Sequence, residues 1–186
     1  MLGVRPFFSD KVEQTLDNLQ SLSDIIKQSG FDSEIKILKM EMIPDNGILV
    51  LENKENTQQY CLYIERLHIV KEKPIALAQI YLPFYIGGKL SKQELESQTV
   101  YRLLEQKFGI TIGEAIQNIE ACPADDKLVS SLQVPKGSPL LKIKRVTVDK
   151  NNRPIEKIIF HYRYDEFSLK IKLSRTDHNL IWSGSL

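Results

Sequence analysis

Two segments of this chain repeat one another, and the repeat constrains the fold more than any other feature. Residues 60–82 read YCLYIERLHIVKEKPIALAQIYL, and residues 139–162 read PLLKIKRVTVDKNNRPIEKIIFHY. Ile64–Ile69 aligns with Ile143–Val148, and the next aligned proline follows after one inserted residue in the second copy. Each copy has the pattern strand, polar turn, strand, which is typical of a β-hairpin. Two copies are too few for a solenoid. The repeat therefore predicts one α+β domain with a pseudo-twofold internal duplication, in which both hairpins join an antiparallel sheet.

Helices and further strands are predicted before the first hairpin. Ser9 and Asp10 can cap a helix that Gly30 ends. Its apolar face would consist of residues at helical spacing: Leu16, Leu19, Leu22, Ile25 and Ile26. Alternating apolar residues from Ile35 to Met42 then predict a strand, and Pro44–Gly47 predict a turn.

The segment between the two hairpins is predicted to contain three helices and one strand. Ser91–Glu94 has a capping-box pattern, and a second helix is expected over Thr99–Phe108. A strand over Ile110–Cys122 and a short helix over Pro123–Leu132 follow. These helices would flank the sheet.

Composition excludes several classes of protein. The 186 residues suit one domain, and a formal net charge of +1 offers no electrostatic footprint for nucleic acid or an anionic membrane. The apolar runs are too short to span a bilayer. Cys61 and Cys122 are far apart in sequence, outside any metal-ligand pattern, and are expected to be reduced. These features predict a cytoplasmic protein without a membrane partner.

Catalytic and cofactor motifs are not found. Gly87-Gly88-Lys89 lacks the other residues of a phosphate-binding loop and is interpreted as a turn. The three histidines do not pair in sequence with a nucleophile. Asp125 and Asp126 are expected to begin a helix rather than to bind a metal. No cofactor, no metal and no catalytic residue are therefore predicted.

Polar residues interrupt the apolar pattern of the hairpin strands. Arg66 and His68 share one strand face, so they would direct hydrogen-bond donors into one space. An exposed, salt-bridged face is an equally good interpretation from periodicity alone. Glu156 and Tyr162 likewise share a face of the second hairpin.

Motifs along the chain resemble those of the UTRA domain, the effector-binding half of HutC-type regulators in the GntR family. The resemblance covers roughly residues 20–173 and rests on the order and spacing of several short segments. These segments are Glu65-Arg66-Leu67-His68, Lys73-Pro74-Ile75-Ala76, Tyr81-Leu82-Pro83, Thr99–Leu104, Phe108-Gly109, Ile119-Glu120-Ala121, Pro139-Leu140-Leu141, Arg153–Glu156 and Tyr162–Asp165.

This resemblance implies a chorismate-lyase-like fold, a homodimer and no catalysis. It implies residues 1–20 as a linker and helix remnant, 21–173 as the ligand-binding domain and 174–186 as a tail. In such regulators a winged helix-turn-helix domain, which is not found in this sequence, contacts DNA. The effector would be a small anion such as a sugar phosphate or an amino-acid derivative.

The resemblance also implies a set of pocket residues. By position these are Arg66, His68, Thr99, Tyr101, Glu120, Glu156 and Tyr162. In this sequence His68 stands where the family has a second arginine, and Ala78 where relatives often have an acid. Both changes remove charge-assisted contacts, which argues against a sugar phosphate.

Three functions are weighed. The first is the effector-sensing domain of a bacterial transcriptional regulator. The second is a chorismate-lyase-type enzyme, because that chemistry needs no nucleophile. The third is a protein-interaction module, which a retained set of polar residues in the predicted pocket argues against. The expected anion site lies between Arg66 and the helix that begins near Thr99, and Arg145 is expected to matter less than Arg66.

Overall fold

The computed structural model describes residues 11–16, 18–49, 60–171 and 173. In chain order its elements are β1 (Val12–Thr15), α1 (Leu22–Gln28), β2 (Glu34–Pro44), β3 (Tyr60–Val70), β4 (Lys73–Pro83), α2 (Phe84–Gly87), α3 (Lys92–Ser97), α4 (Val100–Gln106), β5 (Ile112–Pro123), α5 (Asp126–Leu132), β6 (Pro139–Asp149), β7 (Pro154–Arg163) and β8 (Phe167–Lys170). This is an α+β fold, as the sequence predicts.

Six strands form one antiparallel sheet in the order β2-β3-β4-β7-β6-β5. This order is symmetric. Counted from one edge the strands are β2, β3 and β4 of the first half, and counted from the other edge they are β5, β6 and β7 of the second half. The repeated hairpins β3–β4 and β6–β7 therefore lie side by side at the centre. Strands β1 and β8 form a separate parallel pair.

The two hairpins also share their pairing register. Arg66 lies opposite Ala78 in the first hairpin, and Arg145 lies opposite Ile158 in the second. Each ladder shifts register at the same place, after His68 in one copy and after Thr147 in the other. The predicted duplication is thus confirmed at the level of individual residue pairs.

Helices cover both faces of the sheet. On one face, which we call the cavity face, the apolar sides of α1, α3 and α4 pack into the main core. On the other face, which we call the α5 face, Leu128 and Leu132 of α5 pack against Leu67 and Leu77. Since residues alternate along a strand, each sheet strand presents side chains to both layers.

Local capping explains where two of the helices begin. Ser91 and Glu94 form the predicted capping box at the start of α3. The Thr99 side chain accepts a hydrogen bond from the backbone N–H of Arg102 and caps α4. Thr99 therefore lies at the N-terminus of a helix, as predicted.

The predicted N-terminal helix is only partly correct. Residues 12–15 form β1, and α1 begins at Leu22 behind the cap Ser21. Leu16 and Leu19 precede α1 and line a cavity instead. Helical spacing was misleading here because pairing with β8 satisfies the backbone of β1. The proposed cap at Ser9 and Asp10 lies outside the described residues.

The described residues include both cysteines. Both cysteines are free thiols; Cys61 is buried and Cys122 is partly buried. No helix in the described ranges is long and apolar enough to cross a membrane.

Candidate functional site

A small cavity lies on the cavity face, where the two hairpins meet α1 and α4. Its volume is about 30 Å³, which is room for one or two water molecules. It is lined by Ser21, Leu22, Ser23, Arg66, His68, Ile80, Thr99, Val100, Tyr101, Arg145, Glu156, Ile158 and Phe160. We call it the arginine cavity.

Arg66 enters this cavity from the centre of β3. Its side chain is only 3% exposed, and Nη2 donates to the backbone carbonyl of Gln98 at 3.1 Å. Its Nε–H is buried without a hydrogen-bond partner among the described residues. Burial lowers the pKa of Arg66 to about 10, and the charge of Glu156 partly opposes this effect. Arg66 is therefore a buried cation with unused donor capacity.

His68 lies two residues further along β3, on the same face as Arg66. It is buried, and its Nδ1 has no hydrogen-bond partner in the described part of the chain. Burial and the charge of Arg66 hold the pKa of His68 well below its usual value. The imidazole is therefore neutral near pH 7 and can offer the cavity one uncharged ring N–H.

Arg145 occupies the equivalent position on β6 and enters the same cavity. Its Nε donates to Oε1 of Gln117 at 2.8 Å, and Nη1 donates to the carbonyl of Gln20 at 3.1 Å and to the Tyr101 hydroxyl at 3.3 Å. Its guanidinium also lies 5.8 Å from the centre of the Phe160 ring. Arg145 is thus held by β5, by α4 and by the segment that precedes α1.

Glu156 completes the charged groups of the arginine cavity. The Thr147 hydroxyl donates a hydrogen bond to Oε2 of Glu156 at 3.3 Å. The Tyr101 hydroxyl is in turn hydrogen-bonded to the Thr147 hydroxyl at 3.1 Å. Burial raises the pKa of Glu156, although Arg145, Thr147, Tyr101 and Arg66 all favour the carboxylate. A chain of hydrogen bonds therefore connects Arg145 through Tyr101 and Thr147 to a buried carboxyl group.

The cavity brings together five of the seven residues predicted from sequence: Arg66, His68, Thr99, Tyr101 and Glu156. Tyr162 lies on the same sheet face but is buried beside the cavity, with its ring stacked on Phe167 at 3.9 Å between centroids. It does not line the cavity.

Glu120 is not brought to the site. It lies opposite Lys142 on the α5 face of the sheet, is exposed, and forms a salt bridge with Lys144 at 2.8 Å. Its neighbour Ile119 lies on the face of the arginine cavity. Because neighbouring residues of a strand point to opposite faces, Glu120 lies on the other face, outside the cavity in which it was predicted.

Sequence reasoning missed two parts of the cavity. Arg145 was treated only as the repeat counterpart of Arg66, although an aligned arginine on an equivalent strand was the signal for a second pocket cation. Ser21–Ser23, at the start of α1, form one wall of the cavity. The sequence pattern did not reveal this wall because it predicted a longer helix that begins well before Ser21.

A second, larger cavity adjoins the first across the Arg145 side chain. Its volume is about 330 Å³, and it is lined by Gln14, Leu16, Asn18, Leu19, Ala115, Gln117, Ile119 and Arg145. Gln14 is buried, and its Oε1 has no partner in the described ranges. Arg145 and its bonds to Gln117 and Gln20 therefore form the partition between two cavities.

The chemistry of this arrangement is that of binding. Two arginines and a glutamate whose pKa is raised by burial can hold an anion and a nearby hydroxyl or amine. In the described residues no group of three or more His, Cys, Asp or Glu side chains could hold a metal ion.

Comparison with known proteins assigns the chain to a family. The model of the UTRA domain matches residues 28–168. The chain belongs to the UTRA domain family. It is 25% identical over 178 residues to the HTH-type transcriptional regulator Rv0792c of Mycobacterium tuberculosis, a match covering 94% of this chain and 65% of that protein.

Two further relatives support the family and the fold. The HTH-type transcriptional repressor NagR of Bacillus subtilis is 26% identical over 158 residues, covering 85% of this chain and 65% of that protein. The effector domain of PhnF from Mycobacterium smegmatis matches the fold with a TM-score of 0.75 at 18% identity, over 88% of this chain and all of that one. This UTRA domain thus spans about two thirds of the curated regulators that it resembles.

Proposed function

We propose that this UTRA domain is the effector-sensing part of a transcriptional regulator and that it binds a small anionic metabolite in the arginine cavity. The observation that carries the proposal is Arg66. A buried guanidinium with an unpaired Nε–H is costly to the folded protein unless a ligand uses it. The named relatives are transcriptional regulators, which supports sensing rather than catalysis.

The charges of the cavity favour an anion over a cation. Arg66 and Arg145 are opposed by one carboxyl group, Glu156, whose burial favours its neutral form. A carboxylate or phosphate could accept a bidentate hydrogen bond from Arg66. Glu156 and Tyr101 lie in the same cavity and would orient a hydroxyl or amine of the ligand.

The size of the cavity indicates how the ligand is accommodated. A metabolite-sized site is usually several hundred Å³, whereas the arginine cavity has about 30 Å³. We expect the ligand to displace Ser21–Ser23 or the Arg145 partition and to extend into the adjoining cavity of about 330 Å³. The anionic group would remain beside Arg66.

The remaining features of the regulator are proposed from its relatives. We expect DNA to be contacted by the third of those proteins that this chain does not span, and the protein to act as a cytoplasmic homodimer. Light scattering across tens of micromolar protein tests the dimer, and a constant monomer mass would refute it.

The first experiment is a thermal-shift screen of small anionic metabolites. A ligand present at about 100 times its Kd stabilises the folded state by about 2.7 kcal/mol, which gives a readily measured rise in Tm. The matched control is Arg66→Met, which keeps the apolar stem and removes the donors. A hit that stabilises the wild type and the variant equally would place its binding outside the arginine cavity.

The alternative function is tested by one assay. Incubation with chorismate followed by detection of 4-hydroxybenzoate separates a lyase from a sensor. Product formation that depends on Arg66 would replace the sensing proposal with an enzymatic one.

A further inference from the structure

A third cavity lies on the α5 face of the sheet, on the opposite side from the arginine cavity. Its volume is about 190 Å³, and its floor is formed by neighbouring residues of the three strands β4, β7 and β6. The first turn of α5 forms its wall. The lining consists of Leu77, Gln79, Asp125, Lys127, Leu128, Lys142, Ile159 and His161. We call it the α5 cavity.

His161 lies on the floor of this cavity together with Gln79, whose amide already donates to the Tyr63 hydroxyl at 2.9 Å. His161 is only 8% exposed, and its Nδ1 has no hydrogen-bond partner among the described residues. Burial lowers its pKa to about 4, helped by the charges of Lys142 and Lys127 and opposed by that of Asp125. A neutral imidazole held between two lysines can donate one ring N–H to a ligand while the other nitrogen stays buried.

The two lysines differ in what they already bind. Lys127 forms a salt bridge with Glu65, a buried carboxylate that also accepts a hydrogen bond from Tyr63 at 2.6 Å. Lys142 lies directly opposite His161 on the adjacent strand and makes no hydrogen bond or ion pair with the described residues. Lys142 therefore has an ammonium group available beside the cavity.

The acidic residue of the lining is partly committed elsewhere. Oδ1 of Asp125 accepts the backbone N–H of Leu128 at 2.8 Å and caps α5. The nearby Glu120 is bound to Lys144 rather than to Lys142. Lys127 is balanced by Glu65, so Lys142 is the lysine of the lining that has no ion pair among the described residues.

We propose that the α5 cavity is a second ligand site, which binds a small oxyanion between Lys142 and Lys127 with a hydrogen bond from His161. A volume of about 190 Å³ suits a phosphate or a short carboxylate rather than a large metabolite. This site shares no lining residue with the arginine cavity. The proposal therefore stands independently of the proposed effector site.

The three histidines of the chain make the two sites separately observable. His68 lines the arginine cavity, His161 lines the α5 cavity, and His178 lies outside the described residues. Histidine ring resonances in a proton–carbon NMR spectrum can be followed while inorganic phosphate is added near neutral pH. Ionic strength is matched with chloride so that general screening is held constant.

We expect phosphate to shift the His161 resonance saturably. Lys142→Ala should weaken this response by about tenfold or more, because a charge-assisted hydrogen bond is lost. The matched control is Lys157→Ala, since Lys157 lies on the same strand and face as His161 but outside the lining. Arg66→Met should leave the His161 response unchanged even if it abolishes a response at His68.

Two results would overturn the proposal. One is a His161 resonance that does not move up to about 50 mM phosphate at matched ionic strength. The other is an equal response in Lys142→Ala and wild type. Because the first result needs only the wild-type protein, the test does not depend on the folding of any variant.

Discussion

Arg66 and Arg145 occupy equivalent positions in the two repeated hairpins, yet their surroundings differ. Arg145 makes three hydrogen bonds, to Gln117, the Gln20 carbonyl and Tyr101. Arg66 makes one, to a backbone carbonyl, and its Nε–H is unpaired in the described residues. The same residue type on the same scaffold is thus satisfied internally in one half and left available in the other.

The residues opposite each arginine follow the same division. Ala78 faces Arg66 across the ladder, whereas Ile158 faces Arg145. Two residues further along each strand, Ala76 faces His68, whereas Glu156 faces Thr147. The first half therefore keeps space and donors, and the second half fills its space and supplies the carboxyl group. The two hairpins therefore share one backbone arrangement, and the size of their side chains makes their roles at the cavity different.

The largest expected difference between the halves is in stability. We expect Arg145→Met to lower the free energy of unfolding by about 3 kcal/mol, because several buried partners lose a charged donor. Arg66→Met should change it by less than about 1 kcal/mol, because removing a buried cation offsets the loss of one hydrogen bond. Urea unfolding of both variants at pH 7 measures the difference.

If both substitutions lowered the free energy of unfolding equally, the proposed difference between Arg145 and Arg66 would be contradicted. The conservative variant Arg145→Lys is a useful control, since it keeps the charge but cannot reproduce the fixed donor geometry of a guanidinium. It should recover only part of the lost stability.

The next effect is on affinity. Arg66→Met should weaken binding of an effector found by the screen by about ten- to a hundredfold, which corresponds to 1.5–3 kcal/mol for a charge-assisted hydrogen bond. Isothermal calorimetry measures the change. If the variant binds as tightly as wild type, the anionic group does not lie beside Arg66. Arg145 also lines the cavity, but its donors are already paired, so the expectation that it matters less than Arg66 for affinity stays a prediction.

A smaller effect is expected at Glu156, which has no carboxyl counterpart in the first half. Its pKa in the folded protein is raised above the ordinary value of 4.5 by burial. The folded state therefore holds the proton more tightly, and Glu156 costs stability as pH rises through that raised pKa. Glu156→Gln should raise the free energy of unfolding at neutral pH and lose this advantage in acid below pH 4.5.

Urea midpoints measured from pH 4 to pH 8 would show this dependence. A Glu156→Gln variant that is less stable than wild type at pH 7 would indicate that the ionised carboxylate is favoured by its partners. The matched substitution in the first half, Ala76→Gln, should be destabilising because its position is fully buried.

The smallest effect concerns His68. Because its pKa is depressed in the folded protein, the ring is neutral on both sides of pH 7, and stability is lost only as pH falls below the ordinary value of 6.5. Effector affinity should therefore vary little from pH 6.5 to pH 8 on account of His68. A His68 ring resonance that titrates near pH 7 in NMR would contradict this.

The sequence predicted the sheet and its duplication because strand alternation and turn residues are local signals. The hairpin registers, the cap at Thr99 and the shared face of Arg66 and His68 all follow from such signals. The sequence pattern did not decide whether that face is buried or exposed. It is buried because α1 and α4 cover the sheet. Tertiary packing of this kind has no local sequence signal.

The errors have the same origin. Helical spacing extended the first helix back to Leu16, although pairing of β1 with a strand at the far end of the chain decides that segment. Glu120 was placed in the pocket by motif position, but its strand phase directs it to the α5 face. Tyr162 was placed on the correct face, yet stacking on Phe167 keeps it out of the cavity lining.

The parallel pair of β1 and β8 has a consequence for the rate at which the arginine cavity is exposed to solvent. The pair joins only four residues of each strand, so few hydrogen bonds hold it. Small units of this kind open locally at a lower free energy than the central sheet. Gln20, whose carbonyl holds Arg145, lies five residues beyond the end of β1. Each local opening of β1 would therefore loosen the partition beside Arg145, so amide exchange in β1 would report how often the cavity opens.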